Sequence, residues 1–432
     1  MKIKALTRST SSYQAPGSDV ARHPRNLDPA IHPFERAREY TRALNATKLD
    51  RMFAAPFVAQ LGRGHVDGVY TLAKDPSALD RFASGSGDGV LKVWDLPSQS
   101  EVWQTQAHDN LVKGMCWTHD QKLLSCGSDK TVKLYDPYNG TSSTAPIATW
   151  LGQNSFTGIT RHRTDPTFAV SSSAISLYDL SRPSSTPTQT LGWPTSIDTI
   201  TCLSLNQTET SILASCATDR SLVLYDLRTA SPLHRSVLTL ASNAIAWNPM
   251  EAFNLALANE DHNIYLFDMR NLSRALNFSP TGEELVSASY DRSVRLWKRN
   301  LGHSRDVYHT KRMQRVFSAC WTPDNKYILS GSDDGNVRLW RSNASARSGV
   351  KSARQRQKLE YDDALRERYK HMPEVKRIAR HRHVPKQVKR AGEIKREELG
   401  GIKRREENER KNGKKGIERR SDRVKMVLAT EQ

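Results

Sequence analysis

The chain has 432 residues, 37% of them hydrophobic, and a formal net charge of +19. That length suits one large repeat architecture with extensions, and no apolar run is long enough to span a membrane or act as a secretory signal. The charge is uneven: residues 341–432 hold 29 Lys+Arg against 14 Asp+Glu and residues 1–56 hold 10 against 5, so the 284 residues between them are close to neutral.

Residues 1–55 form a basic arm. Prolines break its first half, and Phe34–Phe53 is predicted to hold a short helix with Tyr40, Leu44 and Leu49 partly buried. The next stretch, PFVAQLG (56–62), is apolar and strand-like. A pattern then recurs along the chain: SGDGVLKVWD (86–95), GSDKTVKLYD (127–136), ATDRSLVLYD (217–226), NEDHNIYLFD (259–268), SYDRSVRLWK (289–298) and SDDGNVRLWR (332–341). In each, an Asp (88, 129, 219, 261, 291, 334) precedes an aromatic residue (94, 135, 225, 267, 297, 340) by six positions. SSSAISLYD (171–179) is a seventh unit that keeps Tyr178 but has Ser172 in place of the Asp.

Period-two alternation bounded by Asp/Gly turns predicts antiparallel strands. Units of this length ending in an aromatic–Asp pair resemble WD repeats. Seven of them imply an all-β fold, a seven-bladed WD-repeat β-propeller over residues 56–341. The last unit has no fourth strand after Trp340, so residues 56–62 are expected to complete it and close the ring. One spacing is short: Phe267 to Trp297 is 30 residues where the other steps are 41 to 47. The blade near 268–298 therefore lacks about a dozen residues at Asn277–Phe278. A deletion in the sequence is favoured over a blade built without its innermost strand, whose loss would expose sheet edges in the channel.

No enzyme is expected, and no cofactor, metal or small-molecule substrate. His65, Ser84, Asp88 and Trp94 imitate a catalytic set, but similar sets recur at His108, Ser125 and Asp129 and in part at Ser330 and Asp334. Repetition marks them as the buried hydrogen-bond network of a WD repeat. The five cysteines (Cys116, Cys126, Cys202, Cys216, Cys320) are scattered without a CxxC pair, which points to reduced thiols in cytosol or nucleus. His381–Arg382–His383 is a poor metal site, since arginines flank it and no carboxylate or cysteine is near.

Residues 342–432 are read as a basic, helical C-terminal extension. Tyr361, Leu365 and Tyr369 recur every four residues as one apolar stripe, and Pro373 and Pro385 mark helix starts or breaks. Glu406–Arg410 and Glu407–Lys411 are favourable i,i+4 pairs, and Gly400–Gly401 and Asn412–Gly413 are expected to interrupt or end the helices. Residues 377–390 differ: Arg377, Arg380, Arg382, Lys386, Lys389 and Arg390 stand there without one acidic residue. Such a block repels itself unless an acidic partner neutralises it, so these six are the expected phosphate contacts. Lys403–Arg404–Arg405 and Lys414–Lys415 would serve nuclear entry.

Three stretches together resemble Sof-one-type WD-repeat proteins: HPFERAREYTRALNATKLDRMFAAPF (32–57), the seven repeats, and KRIARHRHVPKQV (376–388). The resemblance implies a nucleolar scaffold of the small-subunit processome, acting in pre-rRNA processing toward 18S rRNA and 40S subunit biogenesis. Its implied partners are pre-ribosomal RNA, the U-three small nucleolar RNA particle and other processome proteins. An alternative stays open. Tyr225-Asp226-Leu227-Arg228 and Phe267-Asp268-Met269-Arg270 resemble the motif by which substrate receptors of cullin-RING ubiquitin ligases reach their adaptor, through Arg228 and Arg270.

Overall fold

The repeated Asp is explained by the turn it closes. In six blades its Oδ1 accepts the backbone N–H two residues on, at 2.9 to 3.3 Å: Val90, Thr131, Ser221, Asn263, Ser293 and Asn336. The residue between takes positive φ in every case (Gly89, Lys130, Arg220, His262, Arg292, Gly335). An Asp side chain that substitutes for a backbone acceptor stabilises this left-handed turn even where the middle residue is not glycine. At the seventh unit Ser172 solves the turn differently, its N–H donating to the Ala174 carbonyl at 3.0 Å.

The computed structural model describes residues 6, 31, 33–138, 145–182, 186–193, 198–269, 281–299, 302–346, 349–382, 384–413 and 427–431. Seven antiparallel sheets follow one another along the chain as the blades of a β-propeller. Blade 1 runs from Val69 to Gln106, blade 2 from Val112 to Leu151, blade 3 from Gly158 to Leu191 and blade 4 from Ile200 to Leu238. Blade 5 spans Ser242–Asp268, blade 6 Glu284–Tyr308 and blade 7 Val316–Arg341. The strand Phe57–Gln60 pairs antiparallel with Val337–Arg341, Phe57 opposite Trp340 and Gln60 opposite Arg338, so blade 7 takes its fourth strand from the start of the propeller. Leu61 and Val58 then pack with Val337, Leu339 and Trp94, a core shared by blades 7 and 1.

Apolar cores lie between neighbouring blades. Trp94, Tyr135, Tyr178, Tyr225, Phe267 and Trp340 are buried there, which is why the aromatic recurs. A small core joins blades 5 and 6 through Ala256, Leu266 and Leu285, with Ile264 and Trp297 against them. Blades 5 and 6 each show three strands among the described residues. The short junction at Asn277–Phe278 lies outside them.

Blade 4 holds a strand that sequence reading missed. Val427–Glu431 pairs antiparallel with Ser231–Leu238 as a fifth, outermost strand, Ser236 opposite Thr430 and Val237 opposite Ala429. Arg235 fixes it with ion pairs to Glu431 at 3.1 Å and to the turn residue Asp219 at 3.0 Å. The extension is therefore not helical throughout. Residues 384–432 group with the propeller, whereas residues 343–383 group with residues 1–56 in a second compact unit.

Candidate nucleic-acid interface

The second unit is a set of helices from the two ends of the chain. Helix α1 covers Glu35–Met52, α2 Ala353–Arg368 and α3 Pro373–Arg380. A capping box starts α2: the Ser352 hydroxyl accepts from Gln355 N–H while the Gln355 side chain accepts from Ser352 N–H. Pro373 starts α3, its missing N–H costing nothing at that position. The buried face of α1 is Glu39 with Ala43, Ala46 and Thr47, the last three small enough to permit close approach. Leu49, expected to be partly buried, is exposed instead.

Glu39, 1% exposed, pairs with Arg368 at 2.9 Å, and Asp50 pairs with Arg366 at 2.9 Å. Tyr40 and Tyr369 meet ring to ring at 5.8 Å, Leu365 of the predicted stripe is fully buried, and Arg51 donates to the Ala379 carbonyl at 2.7 Å. Burial first, then the Glu39 charge, pushes the Tyr369 phenol up. These contacts engage Glu39 and Asp50 and do not involve the cations of α3. Arg377 and Arg380 are exposed. Arg382 is half-buried, its guanidinium donating to the Ala379 carbonyl at 2.6 Å and the His381 carbonyl at 3.1 Å.

Helix α4, Lys386–Asn412, belongs to the propeller's unit and buries none of its residues. At 27 residues it is about 40 Å long. Pro385 precedes it, as the sequence suggests, but Gly400 and Gly401 neither interrupt nor end it. The Glu407–Lys411 pair forms at 3.2 Å and Gly413 ends the helix. Lys386, Lys389 and Arg390 are exposed in its first two turns. The six predicted contacts are thus split by chain unit, three from α3 and its end and three from α4. Arg377, Arg380, Lys386, Lys389 and Arg390 enter no ion pair among the described residues. His383, Lys414 and Lys415 lie outside the described residues.

The propeller's look-alike catalytic sets behave as structural networks. In blade 2, His108 Nε2 meets Ser125 Oγ at 2.8 Å while Nδ1 donates to Asp129 at 2.9 Å. In blade 1, His65 Nε2 and Trp94 Nε1 share Ser84 Oγ at 2.6 and 2.7 Å, but His65 Nδ1 has no hydrogen-bond partner, Asp88 included, among the described residues. Burial, then the Lys92 charge, lowers the His65 pKa to about 4; Asp88 opposes weakly. Blade 7 repeats the tryptophan contact, Trp340 to Ser330 at 2.8 Å, and holds Asp334 with Arg338 in place of a histidine. Burial pushes the Cys116 thiol up to about 12 and Cys320 to about 11, so both stay protonated. Arg228, after Tyr225–Asp226–Leu227, is 75% exposed, and its N–H donates to Asp226 at 2.9 Å. Arg270 lies outside the described residues.

Comparison with known proteins finds matches to both the repeats and the C-terminal region. The Sof1-like domain matches residues 342–427, and the WD domain, G-beta repeat, matches residues 57–95, 99–136, 273–298 and 302–341. Protein SOF1 of Saccharomyces cerevisiae is 51% identical over all of this chain and 95% of its own length. The chain belongs to the Sof1 family of WD-repeat proteins. Other members are Protein sof1 of Schizosaccharomyces pombe, 51% identical over 96% of both chains, and DDB1- and CUL4-associated factor 13 of Xenopus laevis, 44% identical over 99% of both. In this Sof1-type chain the basic stretch 376–390 falls inside the Sof1-like domain, and the blades lie outside it.

Proposed function

We propose that this protein is a non-enzymatic scaffold of the nucleolar small-subunit processome, acting in pre-rRNA processing toward 18S rRNA. Membership of the Sof1 family and a role in ribosome biogenesis go together in this reading. The observation that carries it is the acid-free stretch with Arg377, Arg380, Lys386, Lys389 and Arg390 exposed and without ion pairs among the described residues. Exposed cations with no carboxylate partner bind polyphosphate backbones, giving affinity and orientation rather than base readout. Arg382 joins them with its guanidinium braced on backbone carbonyls. The near-neutral propeller supplies faces for processome proteins, and the nucleolus is the compartment.

The test is cross-linking in cells followed by sequencing of the attached RNA. Pre-rRNA or small nucleolar RNA should be enriched at residues 376–390 and depleted when the six cations are replaced by alanine. Unchanged recovery in that variant would sink the reading.

A second reading rests on Arg228. Its exposure after an aromatic–Asp–Leu sequence, together with relatives whose name states association with DDB1 and CUL4, supports a substrate receptor of a cullin-RING ligase. Co-purification with DDB1 should be lost in an Arg228→Ala/Arg270→Ala chain; retention would remove this reading and leave the first intact.

A further inference from the structure

Five of the six innermost strands among the described residues bulge at the same place, one residue in. The extra residues are Tyr70, Lys113, Thr201, Asn243 and Phe317, each between a paired residue and the next pairing position. A bulge takes its residue out of the ladder and re-aims the side chain. In blades 2, 4 and 5 that side chain is polar. In blades 7 and 1, neighbours across the closure, it is aromatic.

Tyr70 and Phe317 stack with centroids 4.5 Å apart and planes 8° from parallel, although they are 247 residues apart in sequence. Tyr290, from the turn of blade 6, meets Phe317 edge-on at 5.7 Å and is itself 69% exposed. Glycines make the room: a Cβ on Gly68 would stand 3.2 Å from Phe317, and one on Gly87 would stand 2.9 Å from Tyr70 and 2.3 Å from Asp67 Oδ2. Asp67 and Asp333 are exposed beside the rings. Burial, and then these two carboxylates, push the Tyr70 phenol up. The Arg315 guanidinium lies 5.9 Å from the centre of the Tyr290 ring.

We propose that Tyr70, Phe317 and Tyr290, bordered by Asp67 and Asp333, form a docking surface for a lysine or arginine side chain of a basic protein segment. Aromatic faces attract cations, and adjacent carboxylates strengthen that field while repelling phosphate. Arg315 shows a guanidinium already settled over one of the rings. The surface thus prefers the charge opposite to the one sought by residues 376–390, and it stands independently of that reading.

The full-length chain would be titrated with a short fluorescein-labelled peptide of alternating Arg and Gly, read by anisotropy. A net charge of +19 disfavours diffuse attraction of such a peptide, so saturable binding reports a local acidic or aromatic site. Binding is expected to saturate, and to weaken by about tenfold in Asp67→Asn/Asp333→Asn and severalfold in Tyr290→Ala. Both variants change exposed side chains, and an unchanged melting temperature checks their folding. Absence of saturable binding, or equal affinity in both variants, would overturn the proposal. So would a chain with its six 377–390 cations neutralised that still bound single-stranded RNA and lost that binding through Tyr290→Ala, because the rings would then stack bases.

Discussion

The blades and the 376–390 stretch use the same residue types in opposite ways. Arg338 is 3% exposed, and both its charge and its donors are consumed by Asp334 and Ser332. Arg295 with Asp291, Arg235 with Asp219 and Lys92 with Glu101 repeat the arrangement in other blades. Arg377, Arg380, Lys386, Lys389 and Arg390 are exposed with no ion pair among the described residues. A cation taken out of water must be paired, or the fold loses several kcal/mol; a cation left in water adds little to the fold and keeps its charge for a partner. Location and pairing, more than residue type, separate the cations that hold this protein together from those that address something else.

The sharpest test is at Arg338. Replacing it with alanine strands Asp334 in blade 7. Burial raises the pKa of that carboxyl, but Arg338, Ser332 and Asn336 bring it net below the ordinary value. The expected cost is about 3 to 5 kcal/mol, a melting temperature lower by roughly 10 °C, with RNA affinity unchanged at temperatures where the chain stays folded. Calorimetry and an RNA titration on the same sample read both. A loss of RNA affinity in the folded variant would break the distinction.

Second is pH. His65 falls from 6.5 to about 4 on folding, chiefly because burial opposes its charged form. The unfolded chain then binds the extra proton between these values, so stability is whole above pH 6.5 and is lost as pH falls toward 4, by up to about 3 kcal/mol. His108 shifts in the same direction, burial outweighing Asp129. His65→Gln keeps a donor toward Ser84 and removes the titration, so its unfolding free energy should depend less steeply on pH across this window. An identical slope in denaturant titrations would show that blade 1 does not hold a neutral imidazole.

Third, alanine at all six positions from Arg377 to Arg390 should weaken single-stranded RNA binding roughly 100-fold at low salt, and flatten the slope of log K against log salt by about four. The melting temperature should stay within the error of the measurement, the mirror image of Arg338→Ala. A lower melting temperature with an unchanged salt slope would assign these residues to the fold.

Much of the body was legible because each blade writes its own chemistry. Asp88, Asp129, Asp219, Asp261, Asp291 and Asp334 each close a local turn, and a local cause leaves a local mark in sequence. The pairing of α1 with α2 and α3 left none. Its buried face is alanine and threonine around one carboxylate, and Glu39 finds Arg368 across 329 positions. The strand Val427–Glu431 was invisible for a related reason: five residues paired to an edge 196 positions earlier carry no period of their own. At the candidate interface the sequence located the cations, while their division between α3 and α4 depends on how the chain groups in space.

The smallest effect concerns Gly400 and Gly401, where local propensity and the fold disagree. A Gly–Gly pair should weaken a helix by about 1 kcal/mol per residue relative to alanine, yet α4 runs through both. Neither glycine has an atom within 4 Å of where a Cβ would stand, and neither takes positive φ. Nothing steric therefore requires glycine there. Gly400→Ala/Gly401→Ala should stabilise the helix by roughly 1 to 2 kcal/mol, slow amide exchange from Ile394 to Glu409, and leave the blade amides unchanged. If exchange slows only on the Lys386 side, the two glycines divide α4 in solution, and the cations at its start work on a shorter helix. Uniform slowing to Asn412 would make α4 one rod, carrying Lys386, Lys389 and Arg390 at one end and Glu406, Glu407 and Glu409 near the other. Only the start of that rod carries cations with no carboxylate among them, so its RNA footprint should be strongest from Lys386 to Arg390.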